Sequence, residues 1–242
     1  MERGCILRSL DPVRCVRSTH GALALDNLCA GAACRGARGW SLLACGCAAG
    51  GRGARSCGID ASGGPLVVTR TVGEVGTAPG QFSYPRCLDS DGKTLWVIDK
   101  LARVQRLDPE TGDSLGGWRM PQWQIGKPAG VTAWRAAGAS DADVLVFVAD
   151  THYHRVMIYR AGPIDENGDD ENSPTGELVG QFGSFGAGPG QFIYTTKVAI
   201  LPSADGSRIE RLYVGEYGGN DRIGSWEPMT PGGLDFEFKR TF

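Results

Sequence analysis

The stretch Asp150-Thr151-His152-Tyr153-His154 carries two of the chain's three histidines. Imidazole is a common metal ligand, and side chains at i and i+2 of an extended strand share one side, so the pair suggests the start of a metal site. Such a site takes three or more protein ligands. With His20 the remaining histidine, the other ligands would be carboxylates or come from outside this chain, and the sequence leaves the metal open. A second set of ionisable groups recurs along the chain: Asp99 with Arg103, Asp150 with Arg155, and Glu216 with Arg222. A carboxylate across a tight turn accepts backbone N–H groups or pairs with the arginine. Recurrence favours an architectural role. The functional alternative is a polar rim of turn residues that meets a ligand, made of Asp99, Lys100, Asp150, His152, Tyr153, Glu216, Tyr217 and Asn220. A third feature, Asp165 to Asn172, places oxygen side chains at alternate positions. A calcium loop would need Gly at its sixth position and Glu at its twelfth, where this chain has Asp170 and Gly176, so a solvated insertion is expected. G-x-S-x-G, P-loop and H-E-x-x-H motifs are absent. No catalytic residue is therefore assigned, no cofactor is expected, and a non-enzymatic role is preferred.

The elements that hold these residues follow from self-similarity. Gly-Thr-Ala-Pro-Gly-Gln-Phe-Ser-Tyr at residues 76–84 returns as Gly-Ala-Gly-Pro-Gly-Gln-Phe-Ile-Tyr at residues 186–194. After the copies come Leu95 to Asp99 and Leu212 to Glu216, and a third relative, Val146 to Asp150, stands between them without the phrase. Behind each acid lies a short turn and an arginine with a β-branched neighbour: Arg103-Val104, Arg155-Val156 and Arg222-Ile223. Repeats of about 40 to 50 residues containing several short strands point to propeller blades. Four strands are expected in each unit. They are Arg86 to Asp89, Leu95 to Asp99, Val104 to Leu107 and Ser114 to Arg119; then Gly130 to Trp134, Val144 to Asp150, Arg155 to Tyr159 and Glu177 to Phe182; then Lys197 to Leu201, Arg211 to Glu216, Arg222 to Trp226 and Phe236 to Phe242. Gly, Pro, Asp and Asn punctuate them. No segment after residue 65 has helical apolar spacing,. The fold class expected is all-β: a partial β-propeller of about three four-stranded antiparallel blades in residues 61–242, after a disordered or signal-like segment, 1–60.

The units resemble NHL repeats, the family of six-bladed β-propellers. The resemblance rests on Lys127-Pro128-Ala129-Gly130-Val131, Phe147-Val148-Ala149-Asp150 and Tyr153-His154-Arg155-Val156, and covers roughly residues 66 to 242. It implies that Arg103, His154, Arg155 and Arg222 are structural repeat positions. It also implies that the Gly-Pro-Gly-Gln-Phe phrase is a joint between blades, with Phe82 and Phe192 plugging between neighbours. Three units fall short of the four to eight that close a ring. Leu66 to Val72 reads as an outer strand, and Phe236 to Phe242 as one followed by no further joint. A truncated product or a unit that pairs through open blade faces is therefore expected. One NHL-like branch, the peptidyl-hydroxyglycine amidating lyases, is similar in fold and holds zinc with histidines from several blades. A metal-dependent lyase or hydrolase is thus the alternative to a binding scaffold, and a non-functional fragment is the third reading.

Composition narrows the partners. A net charge of −2 gives no electrostatic case for nucleic acid, which leaves a protein or small-molecule ligand. Seven of the eight cysteines fall between Cys5 and Cys57, in a segment rich in Arg and Ala and without Lys. An odd number without turn rhythm argues against a disulfide framework, and the spacings do not suit zinc. Leu42-Leu43-Ala44-Cys45 resembles a bacterial lipobox, with Cys45 as the lipidation candidate and Arg35 and Arg38 as its basic segment. That would place the protein outside the cytoplasm and give it its route to a membrane. The apolar stretch Trp40 to Ala44 is five residues long, against about 7 to 15 for a signal core. The other reading is a disordered segment or a mis-assigned start.

Overall fold

The computed structural model describes residues 15–17, 23–25, 33–35, 40–42, 68, 70–125, 127–165 and 175–242. The chain divides into two units, Met1–Thr71 and Val72–Phe242. In the first, β1 (Cys15–Arg17) pairs antiparallel with β2 (Leu23–Leu25), and β3 (Ala33–Arg35) with β4 (Trp40–Leu42). Cys45 lies outside the described residues. Of the strand expected at Leu66 to Val72, residues 66, 67 and 69 also lie outside them, and the described remainder forms no strand.

The second unit opens with β5 (Glu74–Val75) and β6 (Gln81–Phe82), paired in parallel. Three antiparallel sheets follow, each a meander in chain order. The first blade is β7 (Pro85–Ser90), β8 (Leu95–Asp99), β9 (Arg103–Leu107) and β10 (Ser114–Arg119). The second is β11 (Gly130–Trp134), β12 (Leu145–Asp150), β13 (Arg155–Arg160) and β14 (Glu177–Phe182). The third is β15 (Thr195–Pro202), β16 (Ile209–Glu216), β17 (Ile223–Pro228) and β18 (Phe236–Thr241). Turn chemistry sets the hairpins: Asp91 accepts the N–H groups of Lys93 and Thr94, and Asp108 those of Glu110 and Thr111, so each carboxylate closes its own turn. The described part of this unit has no α-helix. It has two single 3-10 turns, Asp141–Asp143 and Thr151–Tyr153.

The blades stack face to face. Strand β12 is buried on both sides, and its alternation divides it between two cores. Val146 and Val148 join Trp96, Ile98, Trp118, Val131 and Tyr159 between blades one and two. Leu145 and Phe147 join Ile158, Phe192, Leu212, Val214 and Trp226 between blades two and three. Each such side chain contributes about 1.5 to 3 kcal/mol on burial, so the middle blade is held by two cores. The first strands, β7, β11 and β15, lie side by side. Thr132 donates to the Val198 carbonyl, and Lys197 to the Val131 carbonyl and to Asp89 at 3.4 Å. The first strand of each sheet is therefore the inner one, and the second unit is a partial β-propeller of three blades.

Candidate functional site at the blade turns

In the first and third blades the acid–arginine pair is a clamp on the repeated phrase. The Arg103 guanidinium is fully buried, lies 2.8 Å from Asp99, and donates to the carbonyls of Gly76, Thr77 and Gln81. Asp99 in turn accepts the N–H groups of Ser83, Leu101 and Arg103. Arg222 repeats this in the third blade: it pairs with Glu216 at 2.8 Å and donates to the carbonyls of Ala187, Gly188 and Gln191. Glu216 accepts the N–H of Ile193 and the side-chain amide of Asn220. Three carbonyls and one N–H of an extended loop are thus read by two oppositely charged side chains, through charge-assisted hydrogen bonds.

The phrase's own side chains complete the joint. Gln81 Oε1 accepts the Ala78 N–H, and Gln191 Oε1 the Gly188 N–H. Phe192 is buried against Phe182 and Trp226, at centroid distances of 6.1 and 5.2 Å, while Phe82 is half-buried. The repeat also starts earlier than the quoted phrase. Gly73 (φ +81°) and Gly183 (φ +93°) both bend in the left-handed region, and both lie directly against the phenylalanine of their own joint.

The middle blade has the pair but lacks the phrase. Arg155 Nε donates to Asp150 Oδ2 at 2.9 Å. Asp150 Oδ1, Arg155 Nη2 and His152 Nδ1 are buried without a hydrogen-bond partner among the described residues. Asp150 itself is 0% exposed. Burial pushes its carboxyl up to about 6, against the opposing hydrogen bond and charge of Arg155. The unfolded chain titrates near the ordinary carboxylate value of about 4, so the folded state holds the Asp150 proton between about pH 4 and 6. Stability contributed by the protonated form is present below that window and lost as pH rises through it. The parent protein is expected to lose stability across this range relative to Asp150→Asn. Urea midpoints of the two at pH 4.5 and 7 measure that difference, and parallel profiles would count against it.

The two histidines do not lie on an extended strand. Thr151–Tyr153 is a 3-10 turn, and His154 is left-handed (φ 54°), so their spacing does not put them on one side as strand geometry requires. The residues before the other two clamp arginines, Ala102 and Asp221, are also left-handed, at φ 58° and 46°, which makes the three turns structural equivalents. His154 Nδ1 accepts the Tyr194 N–H, so the neutral ring carries its proton on Nε2. Burial, and then the neighbouring His152, lower its pKa. Around this turn stands an aromatic wall. His154 packs on Phe185 at 4.8 Å and Tyr194 at 5.1 Å, His152 on Tyr194 at 5.7 Å, and Tyr194 on Tyr217 at 5.4 Å. Tyr153 lies under the Arg155 guanidinium at 4.9 Å. Phe185 is 66% and Tyr217 46% exposed.

The structure therefore brings together Asp150, His152, Tyr153, His154, Arg155 and Tyr217. It engages Asp99, Glu216 and Asn220 in the joints. Lys100 stands apart, 4.8 Å over the Tyr84 ring. Phe185 and Tyr194 were not singled out from sequence, although Tyr84 and Tyr194 share one position of the repeated phrase. Among the described residues no group of three or more His, Cys, Asp or Glu side chains is placed to hold a metal. Most of the acidic insertion, residues 166–174, lies outside them.

No family model matches the chain, and no curated protein matches it. Among solved structures, it is similar to the β-propeller domain of Cps50 (Swd1) from Myceliophteria thermophila, with 13% identity and a TM-score of 0.39. That match covers 65% of this chain and 40% of the other, so the chain spans less than half of that protein's length.

Proposed function

We propose that the chain is an NHL-type propeller unit that works as a protein-interaction scaffold, meeting partners at its blade turns and a second copy through its open blade faces. The observation that carries this reading is the far face of the third blade. The middle blade shows what a covered blade looks like, with both faces of β12 buried. In the third blade, Val198 and Leu212 face the core shared with blade two, and alternation turns Ala199, Leu201, Arg211 and Tyr213 to the opposite side. There Leu201 is 43% exposed, and Phe242, against Tyr213 at 6.1 Å, is 61% exposed. At the other end the open area lies on the inner strand: Leu88 is 68% exposed, while its neighbour Cys87 packs toward the core of blades one and two and Trp96 to Asp99 of β8 and all of β9 are buried on both sides. Exposed apolar faces of this kind mark association surfaces. Two copies joined third blade to first blade, twice, would close on themselves and supply six blades, the number the NHL resemblance implies.

Light scattering coupled to size exclusion of the full chain tests this. A discrete dimer is expected, with Leu201→Glu and Leu88→Glu each shifting it to monomer. A monomer at all concentrations, or a dimer indifferent to both substitutions, would remove the self-association.

A further inference from the structure

The clamps of the first and third blades define what such a pair recognises. Each arginine donates to three backbone carbonyls of an extended loop built on Pro-Gly-Gln-Phe, and each acid accepts one backbone N–H of the same loop. These are contacts with a peptide main chain, and they depend little on its side chains. The middle pair keeps the acid, the arginine, their mutual bond and the left-handed turn between them. What differs is the segment beside it. Residues Pro121 to Ile125 are exposed, and none of them is bonded to the pair. Ile125 stands four residues ahead of Ala129, whose N–H joins the Ala149 carbonyl at 3.2 Å, and it is 62% exposed. Asp150 Oδ1 and Arg155 Nη2, on two side chains joined through Oδ2 and Nε at 2.9 Å, are left as a buried acceptor and a buried donor without partners among the described residues. A buried polar atom without a partner costs about 1 to 3 kcal/mol, so a group that supplies both hydrogen bonds is favoured there.

We propose that the Asp150–Arg155 pair of the middle blade is a binding site for the main chain of an extended segment from a partner protein, whose carbonyl accepts from Arg155 Nη2 and whose N–H donates to Asp150 Oδ1. The exposed Phe185 and Tyr217, on the wall next to this turn, suit an apolar or aromatic side chain on that segment, as aromatic recognition surfaces do. An acceptor and a donor of opposite charge call for a neutral amide, and an anion would meet Asp150. The site deepens the scaffold reading and rests on it.

The probe is the chain's own joint supplied in trans: a terminally blocked peptide of residues 183–194, Gly-Ser-Phe-Gly-Ala-Gly-Pro-Gly-Gln-Phe-Ile-Tyr, titrated into the full-length protein by calorimetry. Saturable one-to-one binding is expected, weakened at least tenfold by Arg155→Lys, which keeps the charge but loses the planar fork, and by Asp150→Asn. A peptide of the same composition in scrambled order should bind far more weakly. Near-UV circular dichroism establishes that both variants are folded. Should either fail, Phe185→Ser and Tyr217→Ser, which leave the pair intact, are expected to weaken binding several-fold. Absence of binding, or binding indifferent to these substitutions, overturns the site. Binding that arises only after Pro121–Ile125 is replaced by a Gly-Ser run would name the chain's own segment as occupant and overturn it equally. A protein that dimerises through its blade faces yet ignores the peptide loses this site alone, whereas one that does neither loses the scaffold reading with it.

Discussion

Arg103→Met is expected to lower the stability of the propeller unit by about 3 to 5 kcal/mol, the cost of breaking a buried ion pair by removing one partner. The side chain is fully buried and bonds both Asp99 and three carbonyls of residues 76–81. Methionine fills most of its volume but leaves the Asp99 charge without its cation and those carbonyls without a donor. Urea unfolding followed by tryptophan fluorescence reads the loss. The same change at Arg222 is expected to cost less, because that side chain is 18% exposed and water can replace part of what is lost. At Arg155 the smallest loss is expected: among the described residues its side chain makes one hydrogen bond, to Asp150, whose already raised pKa lets it take up a proton. The order Arg103, Arg222, Arg155 is the informative result. Equal losses at all three would mean that clamping the joint contributes little.

Gly183→Ala is expected to cost about 2 to 4 kcal/mol, through left-handed backbone strain together with overpacking. A Cβ there would lie 2.2 Å from Phe192 Cδ2 and Cε2, on a backbone with φ +93°. Phe192 cannot withdraw, since it is 1% exposed and wedged among Phe182 and Trp226. At Gly73 the same substitution meets Phe82 at 2.2 Å, but that ring is half-buried and free to rotate outward. Mainly the backbone term of about 1 to 2 kcal/mol is then left. Thermal unfolding of the pair of variants separates the two contributions. A Gly183→Ala protein no less stable than Gly73→Ala would show that the phenylalanine is not fixed in the joint.

Much of the blade layout was legible because strands and turns are local. The four strands of the first blade were expected to within a residue or two, since Asp91 and Asp108 close their hairpins with bonds to residues two and three positions on. The recurrence of acid, turn and arginine marked equivalent positions without showing what the arginine held. Its partners, the carbonyls of residues 76–81 and 186–191, lie more than 20 positions earlier in the chain, and no local pattern announces a main-chain acceptor. The histidine pair shows the opposite failure. Strand periodicity stops at Asp150, the end of β12; beyond it a 3-10 turn and a left-handed residue rotate His152 and His154 out of strand alternation.

By itself the sequence determined the all-β class, the three repeating units and the identity of each clamp, because periodicity, turn residues and repeated spacing act over a few residues. The tertiary structure alone decided which clamps are filled. Asp99 and Glu216 are saturated by a loop folding back on them, whereas Asp150 and Arg155, the same residue types at the same turn, keep buried atoms without partners among the described residues. A hydrogen bond depends on where distant backbone arrives, and burial turns the missing bond into an energetic demand. Neither quantity is written in the residues that make the pair.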